Sequence, residues 1–420
     1  MAASDNGITR LATHAGSWYL DDAAELDKQL SDFLAAAKVA KPTKNARILI
    51  APHAGYSYSG ATAAHAYAHW DISSLDRVIV LGPSHHVPLS GCALSRCTQI
   101  ATPLGNLPGD MDTTHRLATS YGGHFTWMSK SVDEAEHSLE MHFPYIAKVF
   151  KDASRPLPLV TQILVGDLTP ELDRVYGDLI ARELADPAVG LVVSSDFCHW
   201  GQRFRFTHYT PTPTALCDCS HPRAHHHHHD AGHHANCADP ASVLAARNAV
   251  PIHQSIEALD RAGMHIIERL DLPAWIAYLN ESKNTVCGRN PIRLALVALN
   301  DLYEASLELA AAFVKYAQSS RVAQLKDSSV SYASAYATVP EGVERILAAD
   351  ADANDMDEDE EREVLRGDES THLGDDDDDM DEEDASQATS SAGDNANDVD
   401  AEGDSRMGEV EEEDERDEEK

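Results

Sequence analysis

The sequence predicts an α/β protein in which a mixed sheet is sandwiched by helices. Apolar runs of strand length alternate with segments whose apolar residues recur at helical spacing, a pattern typical of parallel strands joined by helices. Three of the runs stop at a polar turn that contains histidine; they are residues 47–56, 77–86 and 191–201. Functional groups of open α/β sheets collect beyond the carboxyl ends of the strands, so we expect the side chains after these runs to converge. These side chains are His53, His85, Asp196 and His199.

The individual elements follow from the same periodicities. Besides the run that starts at Arg77, strands are expected at residues 47–52, 159–165 and 191–195. Helices are expected at residues 22–39, 61–70 and 172–184. The helix at 61–70 would join the first two strands into a βαβ unit.

The last third of the domain is predicted to be mostly helical. Residues 254–270 place apolar side chains on one helical face, and Asp271 then caps a second helix with Pro273 in its first turn. We expect these two helices to cover the sheet. A further helix at 292–309 would leave Cys287 just before a helix N-terminus. Two antiparallel edge strands are expected at residues 312–317 and 329–338.

Two segments depart from this pattern and divide the chain. A domain over residues 1–340 is interrupted at about 210–250 by a low-complexity insertion with five consecutive histidines at 225–229. The insertion also holds three cysteines, which with the histidines offer metal donors; they are Cys217, Cys219 and Cys237. Low-complexity loops hold such residues without fixed geometry, so the centre of function is predicted elsewhere.

The negative charge of the chain belongs to its C-terminal part. The formal net charge is −37, of which residues 350–420 account for −29 and residues 1–349 for −8. A highly charged segment almost without aromatic residues cannot bury enough apolar surface to fold, so residues 341–420 are predicted to be a disordered acidic tail. Its charge would repel nucleic acid and attract basic partners.

Composition also bears on location. The N-terminus lacks the charged start and apolar core of a secretory signal, and no stretch reaches the roughly 18 uninterrupted apolar residues of a membrane span. We therefore expect no membrane insertion and a cytoplasmic location, with a nuclear one as an addition. The seven cysteines are irregularly spaced, which favours reduced thiols or metal ligands over a disulfide framework.

The side chains after the strands have the chemistry of a metal site. Neutral imidazole is a common ligand for transition metals, and two imidazoles need one carboxylate or thiolate to complete a three-ligand face. Cys287 is the first candidate for the third ligand because a helix N-terminus favours thiolate, and Asp196 is the alternative. His199 is a candidate general acid or base. A single histidine after a strand is usually structural, but the recurrence at three strand ends favours a functional set.

Two further motifs are expected around the pocket. HAGSWY at residues 14–19 combines His14 and Trp18, which can wall a pocket or cap the core. EHSLEMHFPY at residues 136–145 predicts a short helix that places two histidines and a glutamate on one side, either beside the ligands or orienting them. These three are His137, Glu140 and His142. The spacing differs from the zinc-protease HExxH signature. His86 follows His85 and is a further candidate at the pocket.

Taken together, these motifs resemble the Memo family. THAGSWY, IAPHAGYSYSG, LGPSHHVPLS, EHSLEMHFPY, VVSSDFCHWGQRFR, NTVCGRNPI and YAQSS with DSSVSYA occur in the family's order, over roughly residues 10–206 and 252–338. The resemblance implies a fold similar to class III extradiol ring-cleaving dioxygenases. It places the metal ligands at His53, His85 and Cys287, with Asp196 nearby and His199 at the acid/base position.

The resemblance implies two kinds of function. In the first, an iron or copper ion makes the chain a redox-active regulator of signalling, cell motility or the cytoskeleton, and the site is a metal-dependent oxidoreductase. In the second, the same pocket of a non-catalytic adaptor binds phosphotyrosine peptides or signalling proteins. Cysteine in place of a dioxygenase-type glutamate argues against ordinary catechol cleavage. The cations available for a phosphate are Arg203, Arg205 and Arg289. Asn290 stands where relatives often have histidine, and the insertion and tail have no counterpart in compact members.

Overall fold

The computed structural model describes residues 7–119, 123–210, 250–305 and 309–339, with side chains as far as 302 in the third range. The predicted insertion, except for its first and last residues, and the predicted acidic tail lie outside the described residues. Within the described ranges, no helix is both long and apolar enough to cross a bilayer.

The fold is α/β, as predicted, and is built on a mixed sheet. The strands in chain order are β1 (Thr9–Arg10), β2 (Ala46–Ala51), β3 (Arg77–Pro83), β4 (Cys92–Leu94), β5 (Gln99–Ile100), β6 (Leu107–Pro108), β7 (Thr126–Trp127), β8 (Leu159–Val165), β9 (Val189–Ser194), β10 (His199–Trp200), β11 (Ala310–Gln318) and β12 (Ser329–Thr338). The main sheet of the described chain has the order β10-β12-β2-β9-β3-β8-β4-β7, with β11 also paired to β12. Its central strands β2, β9, β3 and β8 are parallel, and β12 and β4 flank them antiparallel. A small sheet joins β1, β5 and β6.

Helices cover both faces of the main sheet. In chain order they are α1 (Ala23–Ala36), α2 (Tyr56–His69), α3 (Met111–Thr119), α4 (Lys130–Ala135), α5 (His137–Glu140), α6 (Phe143–Asp152), α7 (Pro170–Ala185), α8 (Ile252–Glu268), α9 (Leu272–Ser282) and α10 (Arg289–Ala305). Successive strand residues point to opposite faces, so Leu49 joins the core under α1, α2 and α6, and Ile50 joins the core under α7 to α10. Burial on both faces explains why the parallel strands are continuous apolar runs.

The predicted elements are confirmed, with shifted ends. Asp271 caps α9 as expected, since its side chain accepts a hydrogen bond from Ala274 N. The helix predicted at 61–70 is α2, which begins earlier because its first residue, Tyr56, is already buried. The strands β2 and β3 are parallel, as in a βαβ unit, but β9 lies between them. The last two strands are antiparallel, and only β11 of the two is outermost, because β12 also pairs with β2.

Strand register brings the functional segments to one edge. Ala51, the last residue of β2, pairs with Ser194, the last residue of β9, and β3 runs beside β9 in the same direction. His53, His85 and Asp196 each lie two residues beyond the end of their strand. The three strands therefore present these residues at a common carboxyl edge.

The start of α10 approaches β9 closely enough to require glycine. A Cβ atom on Gly288 would lie 2.3 Å from the carbonyl oxygen of Ser194 and 2.4 Å from Cβ of Ser195. We predict that Gly288→Ala lowers the free energy of unfolding by about 1–3 kcal/mol, because the backbone must move to admit the methyl group. Urea denaturation measures the change.

Gly55→Ala is the matched control for this prediction. Its Cβ would meet its nearest atom, the Trp18 carbonyl oxygen, at an ordinary 3.4 Å. Equal loss of stability in the two variants would show that the close approach at Gly288 is not the cause.

Candidate functional site

His53 is held in one tautomer by the end of β9. Its Nδ1 lies 2.6 Å from the Ser194 hydroxyl, and that hydroxyl donates to the carbonyl oxygen of Ser138 at 2.7 Å. Because a carbonyl only accepts, the single serine proton is used there, and Nδ1–H of His53 must donate to Ser194. The lone pair of Nε2 is thereby left for a ligand.

His85 is held in the same way by Glu136, which precedes α5. The carboxylate of Glu136 accepts hydrogen bonds from the His85 backbone N–H and from Nδ1, both at 2.8 Å. Burial alone would raise the pKa of Glu136, but the hydrogen bonds and charges of His85 and His137 lower it to about 2. Glu136 is therefore an anion at neutral pH, and Nε2 of His85 is left free of it.

Cys287 completes a cluster with the two histidines. Its Sγ lies 3.2 Å from Nε2 of His53, and the nitrogen and sulfur donor atoms of His53, His85 and Cys287 lie within 4.8 Å of one another. The helix N-terminus was expected to stabilise the thiolate of Cys287, but burial of the side chain has the larger effect. Burial, with the nearby Asp196 charge, raises the pKa of the Cys287 thiol, although backbone N–H groups act in the opposite direction.

Asp196, the alternative third ligand, has a different role in the geometry. Its Oδ1 accepts from the backbone N–H of His53 at 2.9 Å, and its own N–H points to Sγ of Cys287 at 3.3 Å. Burial raises the pKa of Asp196 to about 7 against the opposing hydrogen bonds of His53 and Ala54. Within the described ranges, the tight donor cluster with His53 and His85 includes Cys287 and not Asp196.

His199 is oriented by main-chain groups. Its Nδ1 lies 2.9 Å from the carbonyl oxygen of Phe197 and 3.1 Å from that of Thr285, so Nδ1 carries the proton. The Thr285 hydroxyl also accepts from the His199 backbone N–H at 2.8 Å. Burial lowers the pKa of the His199 imidazole, and the two hydrogen bonds only partly offset it. The ring is neutral at pH 7, with Nε2 able to accept a proton.

The remaining pocket candidates form an aromatic wall. The ring of His137 is stacked on His85 with centroids 4.4 Å apart, and lies 4.5 Å from Trp18, 5.5 Å from His53 and 5.9 Å from His86. Burial, and then the charge of His85, lowers the pKa of His137 to about 3. His137 is thus a neutral surface within the cluster at physiological pH.

His14 repeats the arrangement of His85. Glu140 accepts from the His14 backbone N–H and from its Nδ1, both at 2.9 Å. The sequence predicted that Glu140 lies next to the metal ligands or orients them. Its histidine partner is instead His14, whose ring lies 6.0 Å from that of His137. Glu136 and Glu140 therefore bracket α5 and orient one histidine each.

His142 is not part of the short helix that carries His137 and Glu140. The short helix α5 ends at Glu140, and His142 belongs to the next turn, where its Nδ1 lies 3.0 Å from the Tyr67 hydroxyl. It is completely buried in the core, and burial lowers its pKa to about 3. Glu136 occupies the orienting role instead.

A buried arginine fixes the segment that contains both glutamates. Arg10 is fully buried, and its guanidinium donates to Asp133 at 2.9 Å and to Glu140 at 2.6 Å. It also donates to the carbonyl oxygens of Asp133 and Glu136. Tyr19 adds a further hydrogen bond to Glu140 at 2.8 Å. Every donor around Glu140 favours its ionised form.

Sequence reasoning missed four orienting residues, Arg10, Glu136, Ser194 and Thr285. The repeat of glutamate four residues apart around His137 is a signal for Glu136, and the serine before the buried Ser195–Asp196 pair is a signal for Ser194. Nothing in the local sequence indicates Thr285 or Arg10, because His199 lies 86 positions from Thr285 and Asp133 lies 123 positions from Arg10.

Comparison with known proteins identifies the family of the chain. A sequence model described as Memo-like protein matches residues 10–336. The chain belongs to the Memo family. It is 40% identical over 336 residues to Protein MEMO1 of Homo sapiens, covering 80% of this chain and 99% of that protein. It is 41% identical over 330 residues to Protein MEMO1 of Xenopus laevis, covering 79% and 97%. The memo-1 homolog of Caenorhabditis elegans is 38% identical over 333 residues, covering 78% and 81%.

The Memo match covers the complete site. It begins at Arg10, ends at Tyr336, and so contains the two glutamates, the clustered histidines and Cys287. Residues 341–420 lie beyond it. The arrangement described above therefore lies entirely in the part of the chain shared with the Memo family.

The buried ion pair of Glu140 predicts a large stability effect. Replacing Glu140→Gln leaves Arg10 without one of its two carboxylates, so we expect a loss of about 3–5 kcal/mol in unfolding free energy at pH 7. The pKa of Glu140 falls from 4.5 to about 2 on folding. Its stabilisation is therefore complete above pH 4.5 and is lost as the pH falls towards 2. The stabilities of the wild-type protein and Glu140→Gln should therefore become similar as the pH falls. Denaturant melts of the two proteins between pH 7 and 3 measure the difference.

Asp32→Asn is the control, because it removes a carboxylate from the exposed pair between Lys28 and Asp32. We expect little change in stability at any pH. A Glu140→Gln variant as stable as this control would contradict the assigned role of the Arg10 pair.

The geometry of His199 predicts a neutral ring with the proton on Nδ1. In long-range ¹H–¹⁵N spectra, assigned by comparison with His199→Gln, we expect Nε2 to lack a proton at pH 6.5 and the titration midpoint to lie below 6.5. A midpoint above 6.5, or the opposite tautomer, would contradict the hydrogen bonds to Phe197 and Thr285.

Proposed function

We propose that this Memo-family chain binds one iron or copper ion and acts as a redox-active regulatory protein. The ligands are Nε2 of His53, Nε2 of His85 and Sγ of Cys287. The observation that supports this most directly is the convergence of the three donor atoms within 4.8 Å. Both imidazoles have their Nδ1–H bound to the protein, as is usual for histidines that ligate metals.

The donor set fits such an ion. A metal about 2.0 Å from nitrogen and about 2.3 Å from sulfur holds the two donors roughly 3.1–3.6 Å apart, and Sγ of Cys287 lies 3.2 Å from Nε2 of His53. Two imidazoles and one thiolate suit iron or copper and are poor ligands for magnesium or calcium. A three-residue face also leaves coordination positions open.

The surrounding residues orient the ligands and handle protons. Ser194 and Glu136 fix the tautomers of His53 and His85. Burial keeps the Cys287 thiol protonated, and a bound cation would favour its thiolate form because the thiolate is the ligand. His199 accepts a proton at Nε2. When bound, the ion would supply one-electron redox chemistry.

Family membership supports a proposal for the wider role. We propose regulation of signalling, cell motility or the cytoskeleton, and a fold similar to class III extradiol dioxygenases. The support for this fold is the parallel core of the sheet with His53 and His85 beyond the carboxyl ends of β2 and β3. Cysteine among the ligands argues against ordinary extradiol cleavage.

The second candidate is a phosphopeptide-binding adaptor that uses the same pocket. The observation that favours it is Arg203, whose positive charge helps to lower the pKa of His199 after burial. One cation beside the cluster is a weaker basis than the complete donor set. Binding of a phosphotyrosine peptide that is unaffected by metal removal would favour the adaptor.

Metal analysis tests the proposed centre. In a background with the histidines at 225–229 replaced by glutamine, anaerobically loaded protein should contain one equivalent of iron or copper. His53→Ala and Cys287→Ser should each lower the apparent affinity by at least tenfold, because each removes one of three donors. Equilibrium dialysis with elemental analysis measures both.

His86→Ala is the matched control, because His86 occupies the same turn as His85 but is outside the donor cluster. It should retain one equivalent. Metal content unchanged by His53→Ala and by Cys287→Ser would exclude the centre. Oxygen consumption of the loaded protein with ascorbate, and its dependence on His199, then tests redox turnover.

A further inference from the structure

A cavity of about 360 Å³ lies between the end of α9 and the start of α10. Its volume is in the range of small-molecule sites. Its polar lining consists mainly of cations and amides: Lys283, Arg289, Arg293, Asn280, Asn284 and Asn290. None of these residues belongs to the donor cluster described above.

The cavity is positively charged in a chain that is otherwise acidic. No carboxylate of the described ranges forms an ion pair with Lys283 or Arg289, and both side chains are on exposed residues. Arg293 has one partner, Asp173. Two positive charges therefore face the cavity without compensation, so it attracts anions.

Two polar atoms of the lining are buried without a partner. Asn284 is 5% exposed, and its Nδ2 donates to Asp260 at 2.9 Å and to the Tyr278 hydroxyl at 2.8 Å. Its Oδ1 has no hydrogen bond in the described chain, and neither has Nε of Arg293. Because unpaired buried polar atoms cost free energy, a ligand that offers a donor to Oδ1 and an acceptor to Nε would be favoured here.

The helix α10 adds to the preference for an anion. It has 17 residues and begins at Arg289, so the positive end of its dipole lies at the cavity lining. Asn290 in its first turn is anchored by donation of Nδ2 to the Gly166 carbonyl oxygen at 2.8 Å. The charges, the helix end and the unpaired donor all favour an oxyanion.

We propose that this cavity binds a small phosphate monoester that also has a hydroxyl group. The phosphate contacts Lys283, Arg289 and Nε of Arg293, and the hydroxyl donates to Oδ1 of Asn284. The site is separate from the proposed metal ligands. Thr285 lines the cavity and also bonds to His199, so this one residue adjoins both sites.

Calorimetric titration of the metal-free full chain tests the site at constant ionic strength. We expect saturable binding of glycerol 3-phosphate, about fivefold weaker binding of methyl phosphate, which has no hydroxyl, and none of glycerol. The double variant Lys283→Gln/Arg289→Gln should bind glycerol 3-phosphate at least tenfold more weakly. Lys283→Arg/Arg289→Lys should bind glycerol 3-phosphate about as tightly as the wild-type protein, because both positive charges are kept.

The control variant Lys28→Gln/Arg182→Gln removes the same charge from α1 and α7 and should bind normally. His53→Ala should also bind normally, which separates this site from the metal proposal. Three results would overturn the proposal: no saturable binding, equal weakening in the control, or loss in His53→Ala with full binding in the double variant. Methyl phosphate binding as tightly as glycerol 3-phosphate would overturn the role of Asn284.

Discussion

The site depends on one buried cation. The Arg10 guanidinium is removed from water and is compensated by two carboxylates and three carbonyl oxygens, so the segment from Asp133 to Glu140 is pinned around it. That segment supplies Glu136 to His85 and Glu140 to His14. Removing an arginine from water costs free energy, and the hydrogen bonds and ion pairs offset that cost only when every partner is in place. When this segment packs correctly around Arg10, it therefore also orients His14 and His85.

A common rule governs the histidines around the pocket. In each of His14, His53, His85 and His199 the Nδ1 atom contacts an acceptor within the protein, either a carboxylate, a hydroxyl or a main-chain carbonyl. The Nε2 atoms are the ones that remain for a ligand or a proton. Burial meanwhile favours the neutral ring, as the lowered pKa values of His53, His137 and His199 show. Neutral, oriented imidazoles are what a transition metal requires.

The sequence predicted the parts of this arrangement that depend on local pattern. Strands buried on both faces are apolar runs, and the residues that follow them, His53, His85 and Asp196, stand out by contrast. The orienting partners could not be predicted in this way. Arg10 and Glu136 are ordinary charged residues in the sequence, and their roles arise only when α4 and α5 pack against β1. The local pattern also did not show that α5 ends at Glu140, so that His142 belongs to the turn before α6. The position of β9 between β2 and β3 depends on contacts between distant parts of the chain, so no local sequence pattern predicts it.

That position of β9 bears on the order in which the protein can be made. The strands β2 and β3 cannot complete the edge by pairing with each other, since β9 must enter between them, and Cys287 follows almost a hundred residues later. A nascent chain that has emerged from the ribosome as far as β8 already displays both histidines without the thiol. The donor cluster therefore cannot form before Cys287 has been synthesised, well after the strands that carry the two histidines.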